Sequence, residues 1–209
     1  MDFIDSTQKS NVIVVSSSVP QEGKSTIAAN LAGVFAESKK KVLLIDADVR
    51  NPSQHHAWEL TNELGLSNAI VGRANLATAI KIIQPNLHIL TSGVTPPNPV
   101  TLLKSQAMSN LIQQASENYD YVVIDAPPIL MAADALILGK LANGILMVSR
   151  PGIVDANNLV KTKDLLEKSG QNVLGLVING VILKNESDSY FHFTEYYAPE
   201  NIKKAVELK

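Results

Sequence analysis

Hydrophobic positions along the chain fall into two kinds of segment. Short unbroken apolar runs occur at residues 12–17 (VIVVSS), 42–45, 87–90, 121–124, 144–148 and 173–178. Runs of Val, Ile and Leu without polar alternation predict strands buried on both faces, the mark of a parallel sheet. Longer stretches of helix formers lie between them, at residues 25–38, 74–83, 100–118, 132–141 and 155–168. Strands alternating with helices predict the α/β class: a single domain over residues 1–189 built on a doubly wound, mostly parallel sheet. From residue 183 the chain turns polar and aromatic with no clear period. This predicts a C-terminal tail over residues 190–209 that ends in a short helix.

Composition narrows the picture. The chain has 209 residues, 45% hydrophobic, with 18 basic and 20 acidic side chains and a net charge of −2. That balance excludes a general nucleic-acid binder, so no nucleic-acid partner is expected. There are no cysteines, which excludes disulfides, thiolate metal sites and thiol nucleophiles. The longest charge-free stretch, 82–103, contains Pro85, Pro96, Pro97 and Pro99 and cannot be a spanning helix. The first ten residues carry neither a basic nor an apolar targeting segment. A cytoplasmic domain is expected.

Three strand ends carry the chemistry. The segment Ser18-Val19-Pro20-Gln21-Glu22-Gly23-Lys24-Ser25-Thr26 follows the first strand and opens the first long helix. Backbone N–H groups there would cradle phosphates, helped by the helix dipole. Lys24 would reach the β- and γ-phosphates, and the Ser25 hydroxyl would bind Mg²⁺. Ser18 stands where the strict pattern has its first Gly. The second strand ends in Asp46-Ala47-Asp48-Val49-Arg50. Period two puts both carboxylates on one face, at the same sheet edge as the phosphate loop. Carboxylates beside phosphates need a cation between them, and hard oxygen ligands suit Mg²⁺. Arg50 would contact phosphate or pair with these aspartates. A third apolar strand ends in Asp125-Ala126-Pro127-Pro128, the second carboxylate arm for Mg²⁺. No guanine-reading N-K-x-D pattern is present, which favours ATP as the nucleotide, with Asn179 as a candidate adenine contact or a plain turn residue before Gly180.

The chain's ten aromatic residues are unevenly placed, five of them between positions 190 and 197. Tyr190, Tyr196 and Tyr197 are candidate phosphate acceptors; with Phe191 and Phe193 they could instead clamp the sheet edge or dock a partner. A phenol needs a carboxylate to take its proton as it attacks. The pair His55-His56 is read as packing and solvent rather than metal binding, since neighbours on a helix do not face one another.

Taken together, these residues resemble the bacterial tyrosine kinases of polysaccharide export, relatives of the partition and septum P-loop ATPases. Members carry E-G-K-S-T at the end of the phosphate loop, an apolar triplet before D-x-D-x-R, and another before D-x-x-P, as at residues 22–26, 46–50 and 125–128 here. The similarity runs from residue 11 to 180, through Ser92-Gly93, Pro96 to Pro99, Leu102-Leu103, Asp134-Ala135 and Arg150-Pro151. It implies an ATP- and Mg²⁺-dependent tyrosine kinase domain with residues 20–26 and Asn179 on the nucleotide. Ser25, Asp46 and Asp125 would hold the metal. Lys24 and Arg50 would join the catalytic set, and Asp48 would be the base. It also implies phosphorylation of the tail tyrosines between copies, control of exopolysaccharide or capsule synthesis and export, and a membrane-embedded co-polymerase region or activator as partner. The expected place is the inner face of the plasma membrane, within a larger anchored protein or complex. Members carry an upstream E-x-x-R-x-x-R helix that assembles a ring; it should be ending where this chain starts, so the chain is expected to be a cut-out domain or to lack that contact. Two other readings are a partition-type ATPase switch, whose signature Lys is replaced here by Val19, and a non-catalytic nucleotide-binding regulator of polysaccharide chain length.

Overall fold

The computed structural model describes residues 11–181. The expected tail at 190–209, its short helix and the boundary at residue 189 lie outside them. The elements run β1 (Asn11–Ser17), α1 (Lys24–Glu37), β2 (Val42–Asp46), α2 (Gln54–Ala57), α3 (Leu66–Ile70), α4 (Leu76–Ala79), β3 (Ile80–Gln84), β4 (Leu87–Leu90), α5 (Pro99–Leu103), α6 (Gln106–Asn118), β5 (Tyr121–Asp125), α7 (Asp134–Gly139), β6 (Gly144–Ser149), α8 (Ala156–Lys168) and β7 (Val173–Ile178). The seven strands form one sheet in the order β3-β4-β2-β5-β1-β6-β7. Every neighbouring pair is parallel except β3 with β4. The α/β class is therefore as expected, with one antiparallel edge.

Period-two alternation sorts the central strands onto two cores. Val12, Val14, Leu43, Ile45, Val122 and Ile124 face one side, under Met108, Leu111, Ile112 and Ala115 of α6 and Leu138 of α7. Ile13, Val15, Val42, Leu44, Ile89 and Val123 face the other, under the alanine stripe Ala28, Ala32 and Ala36 of α1. Alanine at i and i+4 lets the α1 backbone lie close on the sheet, which fixes the helix that follows the phosphate loop. Leu44 is fully buried in this second core. Leu44→Ala is expected to lower stability by about 2–5 kcal/mol, read as a lower denaturant midpoint at unchanged m-value.

Two helix expectations are corrected. Residues 74–83 are not one helix: α4 stops at Ala79 and the chain continues as β3, paired antiparallel with β4. Residues 100–118 split into α5 and α6 because Ser105 leaves the helical conformation and caps α6, its Oγ accepting from the Met108 N–H at 3.2 Å. Helix α3 has no counterpart among the elements expected from the sequence. Among the described residues no helix is long and apolar enough to cross a membrane.

Candidate active site

The sheet order places β1 between β5 and β6, and β5 beside β2. Residues 18–23, Asp46 and Asp125 therefore leave the same edge from neighbouring strands, and Asp46 stands opposite Asp125 in the β2–β5 register. Helix α1 begins at Lys24, so its first N–H groups have no partner within the helix and point out of its N-terminus. The loop reaches it through two left-handed residues, Gln21 at φ 69° and Gly23 at φ 91°. A Cβ on Gly23 would run into the Asn179 amide nitrogen. Gly23→Ala thus combines backbone strain with a collision, and it is expected to weaken nucleotide binding at least about tenfold, consistent with a 1–3 kcal/mol distortion of the loop. Titration with a fluorescent ATP analogue checks this.

Glu22 is fully buried and turned inward. Its Oε2 accepts from the Val19 N–H at 2.7 Å and its Oε1 from the Arg150 N–H at 3.2 Å. The side chain thus staples the loop to itself and to the end of β6, leaving only the backbone of residue 22 for a phosphate. Asn179 reaches the loop from the end of β7, its Nδ2 donating to the Glu22 carbonyl at 2.9 Å. Pro20, Gln21 and Thr26 are exposed around the loop.

Lys24 spans two of the aspartates. Its Nζ lies 2.9 Å from Asp48 Oδ2 and 3.1 Å from Asp125 Oδ1, and it donates to Ser25 Oγ at 3.0 Å. Burial alone would lower the ammonium's pKa, but Asp125 and Asp48 more than offset it and hold it above the usual value. Asp46 is differently engaged. Its Oδ2 accepts from the N–H groups of Ser53 at 3.0 Å and Gln54 at 2.9 Å, and its Oδ1 from that of Asp48 at 3.2 Å. Burial, then the nearby Asp125, pushes the Asp46 carboxyl up to about 7, against the N–H groups of Gln54 and Ser53 and the charge of Lys24. Two buried carboxylates, Asp48 and Asp125, thus face one ammonium. This surplus of negative charge, together with the Ser25 hydroxyl, is a hard-oxygen donor set that fits Mg²⁺. Three N–H donors engage Asp46, against two contacts on Asp125, so Asp46 has fewer lone pairs left for a metal.

Arg50 does not pair with Asp46 or Asp48. Its Nε donates to Asp134 Oδ2 at 2.9 Å and its second guanidinium nitrogen to Oδ1 at 3.4 Å. Asp134, fully buried at the start of α7, holds an arginine side chain that is 38% exposed. His55 and His56 do meet, with ring centroids 3.8 Å apart. No group of three or more metal-ligating residues of the His, Cys, Asp and Glu types forms among the described residues. Sequence reasoning missed Gln54, a fully buried residue between Asp125 and the first turn of α1. A lone Gln in a polar stretch carries no local signal. The candidate acceptors Tyr190, Tyr196 and Tyr197 lie outside the described residues.

Known proteins resemble this chain in sequence and in fold. The ParA family model, described as NUBPL iron-transfer P-loop NTPase, matches residues 8–207. Tyrosine-protein kinase YwqD of Bacillus subtilis (strain 168) is 39% identical over 196 residues, covering 93% of this chain and 83% of that protein. The kinase domain of Escherichia coli tyrosine kinase ETK superposes with a TM-score of 0.81 at 34% identity, over 87% of this chain and 71% of the other. The septum site-determining protein MinD complexed with Mg-ADP, from Pyrococcus horikoshii OT3, superposes with a TM-score of 0.68 at 25% identity, over 81% and 70% of the two chains.

Proposed function

The chain belongs to the ParA-like P-loop NTPases and, among them, to the bacterial tyrosine kinases, and from that premise we propose that it moves the γ-phosphoryl group of ATP onto the tyrosines of its own C-terminal segment, between copies. The observation that carries this reading is the meeting of Lys24, Asp48 and Asp125 beside the Ser25 hydroxyl at one sheet edge. Residues 20–26 supply backbone donors and Lys24 a charge for the β- and γ-phosphates. Ser25, Asp46 and Asp125 are the residues that would hold Mg²⁺. Magnesium, when bound, neutralises phosphate charge that builds up as the phosphoryl group leaves. In the transfer the bond from the γ-phosphorus to the bridging β–γ oxygen breaks and one to the tyrosine oxygen forms. The Asp48 carboxylate takes the phenolic proton and ADP departs. As long as Lys24 stays on Asp48 this base is masked; a bound γ-phosphate competes for the ammonium and frees it.

Tyr190, Tyr196 and Tyr197 are proposed as the acceptors, and Asn179 as an adenine neighbour. Control of capsule or exopolysaccharide assembly at the inner face of the membrane, through a membrane-embedded co-polymerase or activator, is proposed on family resemblance. Val19, in place of the lysine that marks partition ATPases, supports transfer to tyrosine over a paired-ATPase switch. Incubation with Mg²⁺ and ATP, followed by mass spectrometry, is expected to find phosphate on at least one of the three tyrosines. Steady ATP hydrolysis with all three unmodified would sink this reading in favour of the switch. Binding without turnover would leave a nucleotide-binding regulator.

A further inference from the structure

Gln54 uses every polar atom of its side chain, and it does so between the motifs rather than within one. Its Nε2 donates to Asp125 Oδ2 at 2.8 Å and to the Ser25 carbonyl at 3.0 Å. Its Oε1 accepts from the Trp58 indole N–H at 3.3 Å. Its backbone N–H donates to Asp46 Oδ2 at 2.9 Å. The residue is fully buried. One side chain thus ties the end of β5, the first turn of α1 and Trp58 at the C-terminal end of α2, while its backbone donates to the end of β2. The other oxygen of Asp125 faces Lys24 at 3.1 Å.

The chemistry of these contacts is selective. The position needs a group that donates twice, once to a carboxylate and once to a carbonyl, and accepts once from an indole. A primary amide of this length does all three. A glutamate would place a second carboxylate against Asp125, and an alanine would leave Asp125 Oδ2 without this donor and remove the tie to the Ser25 carbonyl.

We propose that Gln54 is a positioning residue: it fixes the plane of the Asp125 carboxylate and ties it to the Ser25 main chain, so that the Asp125 oxygens and the Ser25 hydroxyl meet Mg²⁺-nucleotide as one preset group, with Trp58 coupled to that arrangement through the amide. The inference rests on the phosphotransfer reading above. Residues that orient metal-binding side chains commonly change metal affinity or activity by 10–100-fold when lost. Trp58 is the single tryptophan of the chain, so its emission reports this one place. It also walls a cavity of about 340 Å³ shared with Ser25 and Thr26.

The test compares wild type, Gln54→Ala and Gln54→Glu in the full chain. Emission of Trp58 is followed while Mg²⁺ and ADP are added, and phosphotyrosine formation is followed against Mg²⁺ at saturating ATP. Wild type is expected to change emission on adding Mg²⁺ with ADP. Gln54→Ala is expected to lose most of that change and to need about 10–100-fold more Mg²⁺ for half-maximal rate. Gln54→Glu is expected to be at least as impaired. A wild-type emission that Mg²⁺ and ADP leave unmoved overturns the proposal. So does Gln54→Ala with the wild-type Mg²⁺ dependence and rate but a lower melting temperature, which marks a structural role only. If Gln54→Ala does not fold, Gln54→Glu, which keeps the volume, reads the same quantities. Absence of phosphotyrosine in wild type defeats the functional reading instead, and the emission arm still decides for or against Gln54.

Discussion

Lys24→Met is expected to reduce phosphotyrosine formation by about 10²–10³-fold, the usual effect of deleting one preorganised charge-stabilising donor from a transition state. The lysine contributes to ground-state binding of the phosphates as well, so both nucleotide affinity and turnover should fall. The variant should also be less stable without nucleotide. Removing one partner of a fully buried ion pair costs about 3–5 kcal/mol, and less applies here because the Lys24 side chain keeps 12% of its surface exposed. The phosphorylation assay therefore belongs well below the variant's own melting midpoint, with circular dichroism as the control. Lys24→Met mixed with active wild type of a different length also reads transfer between copies. Phosphate on the inactive chain is the expected result.

Asp48→Asn is expected to behave differently. The amide keeps the volume of Asp48 and can still accept the Asn51 N–H that the carboxylate holds at 3.0 Å. It cannot take a proton, and it ends the 2.9 Å ion pair with Lys24. Loss of a general base lowers turnover by about 10²–10⁴-fold. Nucleotide binding should change little, or tighten, because Lys24 is released toward the phosphates. The pair of variants separates two roles: Lys24→Met moves affinity and rate together, whereas Asp48→Asn moves rate. Equal loss of affinity in both would mean that Asp48 serves binding and not proton transfer.

The central strands were readable because burial on both faces removes polar residues from the run, as in β1, β2 and β5. The edge was not. Leu76, Ala79, Ile80 and Ile83 stand at i, i+3, i+4 and i+7, the spacing of a helix, yet Ile80–Gln84 is a strand. Pairing with β4 overrides the local period there, and Ile82 is left 72% exposed. The split at Ser105 did carry a local sign, a capping serine, inside a stretch whose apolar spacing continued past it. The site divides in the same way. Lys24, Asp46, Asp48 and Asp125 announce themselves by following apolar strands. The roles of Gln54, 71 positions from Asp125, and Asp134, 84 positions from Arg50, exist only once the sheet has brought distant segments together.

The place of β1 in the sheet has a consequence for biosynthesis. Asn11 pairs with Tyr121 and Ile13 with Gly144, so β1 has neighbours that are made more than a hundred residues after it. Separations of that size slow folding, because a long loop must close before any pairing repays it. A ribosome adding 5–20 residues per second would take roughly 7–28 s to go from β1 to the end of β6. Until β5 has been made, the run Val12 to Val15 has no neighbouring strand to pair with. Released chains that stop before β5 are expected to aggregate or to need a chaperone, and the phosphate loop cannot take shape until most of the domain has been synthesised.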